Sequence, residues 1–220
     1  MTINIIIYSH GFGVMKDDRG LFTDVADMLP GFHHVMFDYN TFDETHNILT
    51  ATPLDIQATI LNEKTAKTRA QFPSSRISII AHSQGCVVAA MAAPHDVDNT
   101  IFLAPPTQFL GIKRHKLAER PGTVIKPDGT IYYPRRDGST TIIREDYWKS
   151  REGIDPISLY NALAKTTHLT IITATNDEVL SATDFSGLVD KIKIIELPAD
   201  HDFTGGIREN LVNHIKDLLQ

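Results

Sequence analysis

Three side chains far apart in the chain have the chemistry of a nucleophile, an acid and a base. They are Ser83 in Ala81-His82-Ser83-Gln84-Gly85, Asp177 in Thr175-Asn176-Asp177-Glu178-Val179, and His201 in Pro198-Ala199-Asp200-His201-Asp202-Phe203. A serine hydroxyl attacks a carbonyl poorly until a base takes its proton, and the base needs an acid to fix its tautomer and carry its charge. Ser83 follows the apolar run Ile77 to Ala81 and precedes Val87, Val88, Ala89 and Met91, so it falls where a buried strand ends and an apolar helix begins. Small residues are needed two before and two after such a serine because the backbone is crowded there. Gly85 meets that need freely and Ala81 less so.

Each residue also has an ordinary reading. Ser83 could simply occupy a strand-to-helix turn. Asp177 could form a turn or cap a helix, and Glu178 or Asp184 could serve as the acid in its place. Asp177 is preferred because it follows its strand most closely. His201, among ten histidines, stands directly after the apolar run Lys191 to Leu197. Its neighbours Asp200 and Asp202 would point away from the ring and read as solvation or turn residues.

Charge that develops on a substrate oxygen needs backbone donors. The N–H of Gln84, at the start of a helix, is one. The second should come from Ser9-His10-Gly11-Phe12-Gly13, where Gly11 lets the chain turn so that the N–H of Phe12 faces the pocket. His10 reads as a structural hydrogen bonder, His82 as support within the serine turn, and Cys86 as a small buried residue.

The elements that must position these residues follow from hydrophobic periodicity. Ile- and Val-rich runs at Ile3 to Tyr8, Val35 to Tyr39, Ile77 to Ala81, Thr100 to Ala104, Leu169 to Ala174 and Lys191 to Leu197 predict strands buried on both faces. Helical spacing lies between them, at Leu21 to Leu29, from Thr52 to about Gln71, near Pro156 to Lys165, and from Ile207 to Leu219. The prediction is a doubly wound, mostly parallel α/β sheet. The stretch from Pro105 to about Ser150 departs from it, with turns at Pro127-Asp128-Gly129 and Asp137-Gly138 between short β-like runs. It predicts a small β-rich cap over 106–150, inserted in a core made of 1–105 and 151–220. Tyr132, Tyr133, Trp148, Arg135, Arg136 and Arg144 could receive an aromatic or acidic acyl group, or else pack the insert and stay in water.

Composition narrows the partners. The net charge of −6 with scattered Lys and Arg gives nucleic acid nothing to track. The lone Cys86 forbids an intrachain disulfide and suits a reducing cytoplasm. No basic leader precedes Ile3, and no apolar run approaches membrane-spanning length. His33-His34 has no further ligand in reach and no H-E-x-x-H spacing occurs, so no metal and no cofactor are expected.

In their order, "HGFG", "AHSQG", "FLAPP", "TNDEV" and "ADHDF" resemble the α/β-hydrolase superfamily over nearly the whole chain. The insert after "FLAPP" is similar to the small cap of bacterial cinnamoyl/feruloyl-type esterases and monoacylglycerol-lipase-like relatives. The resemblance implies hydrolysis of a small or medium carboxylic ester through an acyl-enzyme, without a cofactor. Ser83 would be the nucleophile, His201 the base, Asp177 the orienting acid, and Phe12 and Gln84 the oxyanion donors. The same triad would serve an amide or a thioester, and a binding module without turnover is a further class. The expected partner is a small-molecule ester, with a homodimer left open. Three departures stand out. The antiparallel hairpin that usually precedes "HGFG" is absent, Thr41-Phe42-Asp43 replaces a glycine-rich loop, and Ala81 replaces the first glycine of the serine turn.

Overall fold

The first strand shows how the interior is divided. In β1 (Asn4–Ser9), Ile5 and Ile7 turn to one face of a sheet, and Ile6 and Tyr8 turn to the other. All four are buried, as the two-residue period of a strand covered on both sides requires. In this computed structural model residues 3–109, 114–135, 137–180 and 183–220 are described. After β1 come α1 (Leu21–Met28), β2 (His33–Val35), β3 (Thr41–Asp43), β4 (Ile48–Thr50), α2 (Leu54–Gln71), β5 (Arg76–His82), α3 (Gln84–Ala92) and β6 (Asn99–Leu103). The insert holds α4 (Arg114–Ala118), β7 (Val124–Ile125), β8 (Ile131–Pro134), β9 (Thr140–Ile143) and α5 (Glu145–Lys149). α6 (Pro156–Leu163), β10 (His168–Ala174), β11 (Lys193–Leu197) and α7 (Ile207–Leu219) complete the order.

Six strands form one parallel sheet in the order β11-β10-β6-β5-β1-β2. Side chains of α2, α3 and α6 pack on one face, and those of α1 and α7 pack on the other. The chain builds outward from β1 to β2, then returns to β1's other side with β5. The loops after β1 and β5 therefore part at the sheet's carboxyl edge, where open α/β sheets form their crevice. Filling both layers are Tyr8, Phe22, Phe102, Tyr160 and Phe203, each worth roughly 1.5–3 kcal/mol of burial.

Five of the six predicted core strands form within two residues of their expected limits. The strand expected over Val35 to Tyr39 instead occupies His33–Val35. Phe37 and Tyr39 are buried for another reason, because the chain leaves the sheet there and passes under the β1 loop. Tyr39 donates its backbone N–H to His10 Nε2 at 3.0 Å, and its hydroxyl meets Ser9 Oγ at 2.8 Å.

The predicted meander forms as β7, β8 and β9, paired antiparallel. It is not self-contained. β4 runs parallel to β9 and β3 antiparallel to β4, giving a second sheet in the order β3-β4-β9-β8-β7. The Thr41-Phe42-Asp43 segment noted as a departure is thus the outer strand of that sheet. Asn47, at φ 54°, makes the turn of its hairpin. The β4–β9 edge continues at both ends, where Thr140 N–H donates to Asn47 O and Ala51 N–H donates to Ile142 O.

Candidate active site

Ser83 joins β5 to α3 with φ 53° and ψ −124°, a conformation that a residue with a side chain adopts only under tertiary constraint. The constraint is visible at Gly85. A Cβ there would lie 2.0 Å from Ser9 O, so α3 can start this close to β1 only on a glycine. Ala81, at the position where relatives carry glycine, is fully buried and fits.

Ser83 Oγ and His201 Nε2 are 2.9 Å apart, and His201 Nδ1 is 2.6 Å from Asp177 Oδ2. The carboxylate fixes the proton on Nδ1 and leaves Nε2 free to accept from the serine. Asp177 Oδ1 accepts the N–H groups of Val179 and Leu180, each at 2.8 Å. Burial alone would raise its pKa, but the His201 bond and these two N–H groups outweigh burial and hold the carboxyl below its ordinary range. The alternative acids are placed elsewhere. Glu178 meets the backbone N–H of His201 at 3.5 Å and not the ring, while Asp184 accepts from Ser186 N–H. Asp200 accepts from Thr204 N–H, and Asp202 pairs with Arg19 at 2.9 Å.

The loop after β1 runs beside the serine, with 3.4 Å between an ideal Cβ on Gly11 and Ser83 Cβ. Gly11 N–H is taken by Asp18 Oδ2 at 2.9 Å. Among the described residues the N–H groups of Phe12 and Gln84 make no hydrogen bond within the chain; Gln84 directly follows Ser83, and Phe12 directly follows Gly11 in the loop beside it. His10 donates from Nδ1 to Gly11 O at 3.0 Å and accepts at Nε2, so it is neutral; burial lowers its pKa.

Two residues outside the sequence reading bind this site together. Asp18, buried at φ 47°, faces His82 Nδ1 at 2.9 Å, and His82 Nε2 donates to His201 O at 3.0 Å. One carboxylate thereby connects the loops that carry Phe12, Ser83 and His201. Tyr147, from α5, donates its hydroxyl to Gln84 Oε1 at 2.5 Å and packs its ring 5.3 Å from that of Phe12. The only sequence signal for either was its type, an acid in a polar loop and an aromatic beside Trp148.

The suggested cap residues have different places. Tyr133 accepts from Arg120 and lies under its guanidinium, and Tyr132 lies under Lys126. Trp148 packs edge-on to Tyr147 within the insert, and Arg144 is exposed. Arg135 reaches the loop after β1, with Nη1 2.9 Å from where a Cβ on Gly13 would sit. Arg136 lies outside the described residues. His82, His201 and Asp202 are close enough to hold a metal ion. Every one of their donor atoms near that point is already engaged, in the bonds to Asp18, Asp177, Ser83, the His201 carbonyl and Arg19. The donor set does not fit a resident cation.

A parallel sheet with this serine turn after β5, the third of its own strands in chain order, and with an acid and a histidine on the loops that follow its last two strands, is the α/β-hydrolase fold. Solved structures of that fold superpose on the whole chain. An esterase domain from a Rhodothermus marinus protein has 14% identity and a TM-score of 0.64, covering 100% of this chain and 89% of that one. Est1E of Butyrivibrio proteoclasticus with ferulic acid bound has 16% identity and a TM-score of 0.68, over 99% and 90%. The Pyrococcus furiosus esterase Pf2001 has 15% identity and a TM-score of 0.68, over 99% and 80%. No family model matches the sequence, and no curated protein matches it. The chain thus has the α/β-hydrolase fold that these solved structures share.

Proposed function

We propose that the protein is a serine hydrolase of carboxylic esters, acting through an acyl-enzyme on a small or medium ester, with aromatic acyl groups among those admitted. The supporting observation is the hydrogen-bonded series from Ser83 Oγ through His201 to Asp177, at 2.9 and 2.6 Å. Ser83 attacks the carbonyl carbon as its proton passes to His201 Nε2. The oxyanion accepts from the N–H groups of Phe12 and Gln84. Collapse breaks the bond to the alcohol, which leaves with the proton from His201. Water then gives its proton to the same nitrogen, attacks the acyl group and releases the acid, and Ser83 regains its proton. Asp177 stays ionised throughout.

The insert over 106–150 is the substrate-selecting part of this reading, because its Tyr147 and Arg135 meet the oxyanion loop. A reducing cytoplasm suits the buried thiol of Cys86. No helix among the described residues is long and apolar enough to cross a membrane. The test is a panel of p-nitrophenyl esters of increasing acyl length, with methyl ferulate and a monoglyceride, run on the native protein and on Ser83→Ala. Turnover should drop by about 10⁴-fold or more in the variant, and a fluorophosphonate should label only the native protein. Equal rates in the two proteins would end the assignment.

A further inference from the structure

Arg135 follows β8 and is anchored by its own backbone, where its N–H donates to Ser139 O at 2.8 Å and its carbonyl accepts from Gly138 N–H. Its guanidinium rests on the backbone of Gly13. That residue has φ +64°, and any Cβ on it would press against Nη1. Gly13 is next to Phe12, so by backbone dimensions the guanidinium lies within about 9 Å of the Phe12 N–H. The side chain is partly buried. Among the described residues it forms no ion pair and no hydrogen bond.

The surrounding charges do not compensate for this. Arg19 and Arg120 lie in the same field, and burial together with these like charges pushes the Arg135 pKa down from its usual high value. Arg19 is engaged with Asp202, and Arg120 with Tyr133. Asp137, the nearby acid, is held by Ser139 through both its N–H and its hydroxyl. A cation partly stripped of water with no partner is costly unless an anion arrives to meet it. One free planar fork beside two committed cations matches a single planar monoanion, taken in two parallel hydrogen bonds.

We propose that Arg135 anchors a carboxylate carried by the substrate, so that the preferred ester has an acid group two to four carbons from the bond that is cleaved. This rests on the reading of Ser83 as the nucleophile of an ester hydrolase. Half-esters of short dicarboxylic acids have this geometry when the charge is on the acyl side. Acetoxybenzoates have it when the charge is on the alcohol side.

The experiment compares matched pairs in two arms. The first arm follows ethanol release from monoethyl glutarate and from its methyl ester. The second follows 4-acetoxybenzoate and its methyl ester. Each is run on the native protein, Arg135→Gln and Arg135→Lys, with melting temperatures checking that the variants fold. In at least one arm the native kcat/KM should favour the acid over its methyl ester, and 0.5 M salt should erode the preference. The acid-to-ester ratio should fall roughly 10- to 100-fold in Arg135→Gln, and Arg135→Lys should keep part of it. Calorimetric binding of monoethyl glutarate to Ser83→Ala, with and without Arg135→Gln, gives a reading independent of turnover. If the native protein turns over neutral esters but shows no preference for the acid in either arm, or if Arg135→Gln leaves both ratio and binding unchanged, the proposal is overturned while the esterase reading stands. If no ester is cleaved and no fluorophosphonate label appears on Ser83, the esterase reading fails, and the binding measurement decides for Arg135 alone.

Discussion

Both ring nitrogens of His82 face acceptors, Asp18 Oδ2 on one side and the His201 carbonyl on the other, which is the pattern of an imidazolium paired with a carboxylate. Burial opposes both charges, yet the pairing prevails. It raises the His82 pKa and lowers that of Asp18. The histidine's contribution to stability is complete below its unfolded pKa, about 6.5, and is lost as pH rises through the raised folded value. The aspartate's is complete above about 3.9 and is lost as pH falls through the lowered value. Asp18→Asn should therefore destabilise the protein by about 3–5 kcal/mol. The gap in melting temperature from the native protein should be widest between about pH 4 and 6.5 and should shrink toward alkaline pH. A gap that does not change from pH 4 to 9 would refute the ion pair. His82 was legible in sequence as support for the serine because it is next to it. Asp18 was not, since an acid in Lys16-Asp17-Asp18-Arg19-Gly20 needs no explanation beyond solvent. Its role comes from a left-handed turn of the chain that periodicity does not encode.

At the scale of elements, the meeting of Ser83, Asp177 and His201 was legible because each directly follows an apolar strand, and a parallel sheet must bring such loops to one edge. The α5 helix was not. Glu145 to Lys149 is a single short helix within a segment whose turns read as β, and Tyr147 is distinguished from Trp148 only by which side of that helix meets the core. Tyr147 is fully buried against Phe12 and Gln84, whereas Trp148 is partly exposed. Tyr147→Phe keeps the ring on Phe12 but leaves Gln84 Oε1 without its donor. Since a buried acceptor left alone costs about 1–3 kcal/mol, kcat should fall roughly tenfold with KM little changed if Gln84 is thereby displaced in the transition state. Steady-state kinetics on a neutral ester separate this from a binding effect, in which KM would carry the change. The β3–β4 hairpin also escaped the sequence. Its strands are three residues each, too short for alternation to register.

Across the molecule, the single thiol is a probe of the whole fold. Cys86 is fully buried under the serine turn, donates weakly to Ala81 O and Leu103 O, and has its pKa raised by desolvation. A thiolate is the reactive form, so native protein should resist a disulfide exchange reagent and react at the rate at which the sheet opens. Rapid labelling without loss of circular dichroism would contradict the packing described. The two-layer division of the core was legible from Ile-rich runs alone, because strands covered on both faces have no polar alternation to obscure them.

The ladder between β4 and β9 has a mechanical meaning. It laces a segment that precedes α2 to one that follows β6, so the insert is tied to the rest of the chain by a sheet edge as well as by its two ends. On the proposed reading, in which the insert selects the substrate, redesign of what the protein admits should begin by trimming the Thr41 to Thr50 hairpin, the part of the main chain that braces it from outside.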